Sequence, residues 1–428
     1  MKVLLLNQCF WPDVVATAQQ LTDVARGLAE RGHQVTVITG RRGYDDPSLR
    51  FSRRERWHDI EIIRVRSIAS GKTSRWRRVL NFASFLFNCA LRLFLIPRQD
   101  VVVALTSPPL VSCLASGFTR VKGGRLVFWV MDLNPDEAIA AGWLRAESNT
   151  AKILGGLLEK SMRHAARIVV LDRFMKARVL QKRIPPERIE IISPWSQGIH
   201  FDQQGREEFR RVHGLANKFV VMHAGNHSPC HPLDTLLAAA ATLGLQEDIA
   251  FCFVGGGSEM RKVKEFARAR GLKNVLCLPY QPQEDLAAML SAADLHVVVM
   301  GNEFPGIVHP CKVYNILAVG SPILYLGPAE SHMGDIIGKL DAPNWAMQAN
   351  HGQAELVSKL VSDAAAGFKL RRSHAGAGIH LAPGAHRDLA AAFSRAMLLP
   401  KFINQIEALG PGRNVSTAES AAAKLQSA

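Results

Sequence analysis

The chain opens on a continuous apolar run, Lys2 to Asn7, of the length of a buried strand. A turn, CFWPD, follows, and the apolar positions then space out. Leu21, Val24, Ala25 and Leu28 fall at i, i+3, i+4 and i+7, one face of a helix. Gly32 ends that helix, and QVTVIT supplies a second strand. Strand, helix, strand in this order predicts a parallel sheet with helices on its faces. The runs IEIIRV, DVVVALT, RLVFWVM and ARIVVL continue the series. RIPPERIEIISPWSQGIHFDQQG then breaks the rhythm with prolines and polar residues and reads as a connection. The alternation restarts at KFVVMHAG and continues through IAFCFVGGG, NVLCLPY, LHVVVM and SPILYLG. The pattern predicts two doubly wound α/β domains, 1–195 and 218–385, joined by a linker, 196–217. A C-terminal helix over 386–408 is expected to pack back on the first domain, and 409–428 to form a flexible tail.

Length supports the division, since 428 residues exceed one ordinary core. The net charge of +15 calls for an anionic partner: nucleic acid, acidic membrane or a phosphorylated small molecule. No basic stripe interleaved with aromatics appears, which argues against nucleic acid. Seven cysteines stand singly without a CxxC pair, so a reducing compartment is expected. The N-terminal run lacks a cleavage site and reads as a strand rather than a signal peptide. One segment stands apart, RWRRVLNFASFLFNCALRLFLIPR at 75–98. It is near the lower limit for a membrane span, and Arg92 in its centre argues against spanning. It reads as a helix lying on an anionic membrane surface, with Arg75, Trp76, Arg77, Arg78, Phe85 and Phe87 in contact.

In open parallel sheets ligands bind beyond the carboxyl ends of the strands. On the first domain this selects Thr17, Gln19, Pro108, Asp132 and Asp136. On the second it selects the stretch HAGNHSPCH, residues 223–231. Its three histidines and one cysteine raise a metal reading. His223, however, lies inside the strand, and Cys230 and His231 are adjacent, so convergence on one ion is not expected. The better reading is phosphate recognition. Gly225 admits close approach, Asn226, His227, Ser228 and His231 donate hydrogen bonds, and Pro232 marks the start of a helix whose N-terminus attracts anions. Gly255, in FVGGGSEM, repeats the strand–glycine-turn context. In HPCKVYNILAVG, Pro310 leads into a short helix that starts at Cys311 and Lys312 and ends at Gly320. A lysine is not the preferred residue at a helix N-terminus, and there it suggests an anion.

These motifs and their order resemble glycosyltransferase family 4, the retaining transferases with the GT-B fold. The resemblance runs from residue 1 to about 408 and includes MDLNPDEAIAAGWL, IISPWSQ, HAGNHSPCHPLDTLL and HPCKVYNILAVGSPIL. Its nearest subgroup builds bacterial O-antigen and colanic-acid polysaccharides, including fucosyl and N-acetylfucosaminyl transferases. The resemblance implies two Rossmann-like domains facing a central cleft, and a UDP- or GDP-sugar donor. It also implies transfer with retention, by front-face attack without a protein nucleophile. The family's diphosphate-holding arginine and lysine fall here on Asn226 and His231. Its paired glutamates fall on Ile307 and Asn315, with Glu303 close to the first.

With no metal motif and no cofactor expected, the departing diphosphate is assigned to Gly225, Asn226, His227, His231, Cys311 and Lys312. Tyr280 and Gln281 are placed to meet the nucleobase, and Asn315 or Glu303 the ribose. Asp132 and Asp136 orient the acceptor or act as base, although DLNPDE also suits a turn and helix cap. The acceptor is expected to be a glycan or polyprenyl-diphosphate-linked sugar, and the protein peripheral on the inner face of the plasma membrane. A nucleotide-sugar epimerase of the same shape and a catalytically inactive, membrane-associated relative are the rival readings.

Overall fold

A computed structural model describes residues 1–43, 48–68, 75–340, 342, 345–375 and 382–411. The chain divides into two compact units, residues 1–193 with 398–428, and residues 194–397.

Unit 1 is built on an eight-stranded sheet. Its strands are β1 (Lys2–Leu6), β2 (Gln34–Gly40), β3 (Arg54–Trp57), β4 (Ile60–Val65), β5 (Val101–Ala104), β6 (Arg125–Trp129), β7 (Arg167–Val170) and β8 (Ile189–Ile191). The order is β3-β4-β2-β1-β5-β6-β7-β8, parallel throughout except for the antiparallel edge strand β3. Val3 to Leu6 and Val101 to Ala104 are completely buried, as strands covered on both faces require. Strand order reverses between β1 and β5, so a crevice forms beyond their carboxyl ends.

Unit 2 repeats the scheme with β9 (Phe219–Asn226), β10 (Ile249–Gly256), β11 (Val275–Leu278), β12 (Leu295–Val299), β13 (Ile323–Leu326) and β14 (Ala346–Ala349). The order is β11-β10-β9-β12-β13-β14, all parallel, with the reversal between β9 and β12. Along β9 the side chains alternate between two cores. Phe219 and Val221 join one, and Val220, Met222 and Ala224 the other.

Several expectations need correction. The stretch 196–217 is not a bare linker. It carries the helix Gln203–Val212, which belongs to unit 2 and is anchored by Arg206 and Arg210 on the buried Asp294 carboxylate. The expected C-terminal helix is two helices, Gly384–Ala392 in unit 2 and Arg395–Glu407, which is counted with unit 1 from Leu398 onward. Most of the expected tail, 412–428, lies outside the described residues. The helix Arg75–Leu95 exists, but Phe85 is wholly buried in unit 1 and cannot meet a membrane, whereas Phe87 and Arg77 are exposed. The side chains of Arg75, Trp76 and Arg78 lie outside the described residues. Among the described residues, no helix is long and apolar enough to cross a membrane.

Candidate active site

The site in unit 2 forms where β9 and β12 part. These strands pair only at Leu295–Val221 and His296–Met222, while β9 stays paired with β10 as far as Asn226–Gly256. Divergence removes ladder partners from the later carbonyls of β12, and buried carbonyls must find donors. Histidine rings supply them. His223 Nδ1 donates to the Val297 carbonyl at 3.0 Å, and His231 Nδ1 to that of Val299 at 2.7 Å. His227 Nδ1 donates to the Gly225 carbonyl at 2.9 Å. A carbonyl only accepts, so the proton sits on each Nδ1 and each Nε2 is left as an acceptor.

Lys312 begins the helix Lys312–Val319 and reaches back to this crevice. Its Nζ donates to His223 Nε2 at 3.3 Å and stands 3.3 Å from where a Cβ on Gly225 would be. Burial is the main cause holding all three rings below their ordinary value, and the lysine's charge adds to it. His223 lies well below, His227 at about 4 and His231 at about 3. Burial also pushes the Lys312 ammonium down to about 7. Near neutrality the rings are uncharged, and the lysine is the group that titrates.

The glycine turns bring backbone to the surface of the crevice. Gly255 has φ +130°, and a Cβ there would lie 2.0 Å from the Gly225 carbonyl oxygen. Gly257 has φ +122°, with a Cβ 2.3 Å from that of His227. Only glycine fits at both positions. The ring of Tyr280 lies against Gly256 and is 41% exposed, a flat apolar face beside the turn.

Other expected members take different roles. The helix after the histidine loop is Asp234–Thr242, so Pro232 precedes it. Asp234 already places a carboxylate in the first turn, which weakens any anion site at that N-terminus. His227 is fully buried, and its Nε2 has no hydrogen-bond partner among the described residues. Asn226 and Glu303 are exposed, and Ile307 is core. Asn315 Oδ1 accepts the Gln197 N–H at 2.9 Å, and Gln281 Nε2 donates to the Pro279 carbonyl. Cys311 caps the helix start and donates its thiol to the His309 carbonyl. Sequence reasoning left His223 in the sheet packing, but its Nε2 is the partner of Lys312.

In unit 1 the loops after β1, β5 and β6 hold the other candidates. The Gln8 N–H donates to the Ser107 carbonyl at 2.6 Å, and Pro108 beyond it is buried. The Asp132 N–H donates to Thr106 Oγ1 at 3.3 Å. Burial, and secondarily the charge of Glu137, raise the Asp132 carboxyl to about 8. Asp136 is held by Lys182, with Nζ 3.3 Å from both carboxylate oxygens, at the start of the short helix Asp136–Ala140. Thr17 and Gln19 are half-buried in the first turn of the helix Ala16–Glu30. His33, read from sequence as structural, meets Glu407 at 2.8 Å.

Comparison with known proteins matches residues 17–195 to a model described as Glycosyltransferase Family 4, and residues 205–326 to one described as Glycosyl transferases group 1. The chain is 24% identical over 356 residues to the putative colanic acid biosynthesis glycosyl transferase WcaI of Escherichia coli K12, covering 78% of this chain and 86% of that one. It is 27% identical over 245 residues to the probable glycosyltransferase WbjE of Pseudomonas aeruginosa, covering 57% and 61%. Among solved structures, Anabaena Alr3699/HepE in complex with UDP-glucose superimposes with a TM-score of 0.67 at 14% identity, covering 95% of this chain and all of that one. WaaG, a glycosyltransferase involved in lipopolysaccharide biosynthesis, gives 0.67 at 17% identity, covering 94% and 99%.

Proposed function

The chain belongs to glycosyltransferase family 4 and has the GT-B fold, and from that premise we propose a retaining, metal-independent transfer of sugar from a UDP- or GDP-sugar. The observation that carries the reading is Lys312. A lysine desolvated against the strand-end turn at Gly225, among neutral histidines, is a cation with no carboxylate partner among the described residues, at the sheet's reversal point. A diphosphate supplies the missing charge.

In this reading unit 2 holds the donor. The diphosphate lies on the backbone of Gly225 and Gly255 under Lys312, and Tyr280 takes the base. As the bond from the anomeric carbon to the diphosphate oxygen breaks, negative charge grows on the leaving group. Lys312 and the turn N–H groups stabilise that charge. The acceptor hydroxyl bonds to the anomeric carbon on the same face and passes its proton to the departing phosphate oxygen. Asp132, on unit 1, is protonated at neutral pH, so it orients the acceptor by donating a hydrogen bond rather than serving as base. The acceptor is a glycan or polyprenyl-diphosphate-linked sugar of cell-surface polysaccharide synthesis. The resemblance to WcaI, named for colanic acid biosynthesis, supports this, as does the basic, amphipathic helix of unit 1. The protein then works on the inner face of the plasma membrane.

Calorimetric titration with UDP and GDP, with and without EDTA, tests the donor site. The expected result is micromolar binding of one nucleotide, unchanged by EDTA and lost in Lys312→Ala. Binding abolished by EDTA would return the histidine loop to a metal role. The absence of binding to both nucleotides would overturn the proposal.

A further inference from the structure

The helix Arg75–Leu95 buries Phe85, Cys89 and Leu93 in unit 1 and turns a second apolar stripe outward. Leu80, Phe87, Leu91 and Phe94 stand at i, i+7, i+11 and i+14 and are 51%, 65%, 50% and 75% exposed. Leu95 extends the stripe. Soluble surfaces scatter such side chains singly, and a continuous row marks a contact. The end of the row is held firmly. Lys122 Nζ donates to the carbonyls of Leu93, Phe94 and Ile96, which satisfies the helix terminus.

Positive charge adjoins the stripe. Between Glu61 and Asp100 the sequence holds eight lysines and arginines and no acidic residue. A cleft of about 520 Å³ lies between this helix and the β3–β4 hairpin, lined by Arg53, Arg66, Asn88 and Arg92, with Leu91 and Leu95 at its apolar margin. Two further arginines of its wall are neutralised, Arg54 by Glu61 and Arg64 by Glu55. Among the described residues, Arg53, Arg66 and Arg92 form no ion pair, and the buried Nε of Arg92 has no hydrogen-bond partner. Asn88 Nδ2 donates to the Arg66 carbonyl at 3.1 Å and so ties the helix to the strand end.

We infer that this cleft seats the phosphate of an anionic bilayer phospholipid, with the lipid's chains against Leu91, Phe94 and Leu95. The inference rests on the membrane-side reading above and supplies its docking residues. Guanidinium groups grip phosphate in paired hydrogen bonds, and the apolar row beside them suits the headgroup–acyl boundary. A free phosphate would leave the apolar row unused.

The test is vesicle flotation of the full chain, with phosphatidylcholine alone and with phosphatidylglycerol added. The unmodified protein should float with the anionic vesicles, less so as salt rises. Arg66→Gln with Arg92→Gln should lower that affinity at least about tenfold. Phe87→Glu with Phe94→Glu should remove it. Nucleotide binding on unit 2 should be unchanged in both variants, and the separate thermal transition of unit 1 should be retained, which shows that the mutated unit still folds. Inorganic phosphate at matched ionic strength should not displace the vesicles. The inference is overturned by undiminished binding of the arginine variant, by equal binding to neutral vesicles, or by displacement with phosphate. It is equally overturned if the unmodified protein fails to float and self-associates through this face instead. Nucleotide binding without vesicle binding would sink this inference and leave the transferase reading standing. Vesicle binding without nucleotide binding would do the reverse.

Discussion

Lys312 is where structure and chemistry meet at the scale of one residue. Its ammonium titrates at about 7, whereas the histidines around it ionise only near 4 or below. In the proposed reading a diphosphate binds the charged lysine, so nucleotide affinity should be level below pH 7 and fall above it. The slope approaches tenfold per pH unit until the bound-state pKa is reached. Calorimetry from pH 6 to about 9 checks this. A fall confined to acid pH would shift the role to the histidines. The same desolvation should lower stability. The folded pKa lies below the unfolded value of 10.5, so the penalty is complete below pH 7 and fades as pH rises toward 10.5. Lys312→Met should therefore raise Tm at pH 6, raise it less at pH 9, and abolish donor binding. Asp132 offers a second test. If it acts as a protonated donor, Asp132→Asn keeps activity within about tenfold, while Asp132→Ala loses about a hundredfold or more. An inactive Asn variant that still binds nucleotide would make Asp132 a base after all.

At the scale of elements, what the sequence revealed and what it concealed have one physical cause. Strands buried on both faces announce themselves as apolar runs, and DVVVALT and LHVVVM lie where β5 and β12 form. The strands that escaped notice are those with one solvated side or edge. RERW forms β3 at a sheet edge, where charge protects against further pairing, and IEI forms β8 at the opposite edge. The helix Gln203–Val212 looked like linker because its affinity for unit 2 is ionic. Phe209 is its one buried apolar residue. Asp294 accepts from Arg206 and Arg210 and from the Val220 N–H at 2.8 Å. Such a pairing between helix and strand cannot be read from either segment alone. The Lys312–His223 contact was hidden for the same reason, since 89 positions separate its partners. Removing Asp294 leaves two arginines without their carboxylate, so Asp294→Ala should destabilise unit 2 by about 3–5 kcal/mol in denaturant melts. A change under about 1 kcal/mol would mean that the helix is held by other means.

At the scale of the molecule, unit 1 is completed by the helix Arg395–Glu407, far along the chain from its sheet. Leu398, Leu399, Phe402, Ile403 and Ile406 are all buried, and Phe402 packs on Trp129 with ring centroids 4.1 Å apart. Ile403 also lies over Gly27, where a Cβ would be 2.5 Å from its Cδ1, so the two helices pack closely at this point. Two polar contacts flank the apolar ones, Arg31 with Glu407 at 2.9 Å and His33 with Glu407 at 2.8 Å. Burial of five large apolar side chains contributes on the order of 10 kcal/mol. That is comparable with the whole stability of a typical domain. Truncation after Met397 should therefore unfold unit 1 and abolish transfer, although it removes no residue assigned to donor or acceptor. Unit 2 has its own sheet and two cores, so it should keep its nucleotide site and its thermal transition. Calorimetric melting with nucleotide present separates the cases. The full chain should show nucleotide raising the transition of unit 2, and the truncated chain should retain that ligand-sensitive transition alone. Loss of both transitions would mean that unit 2 cannot fold without the completed unit 1.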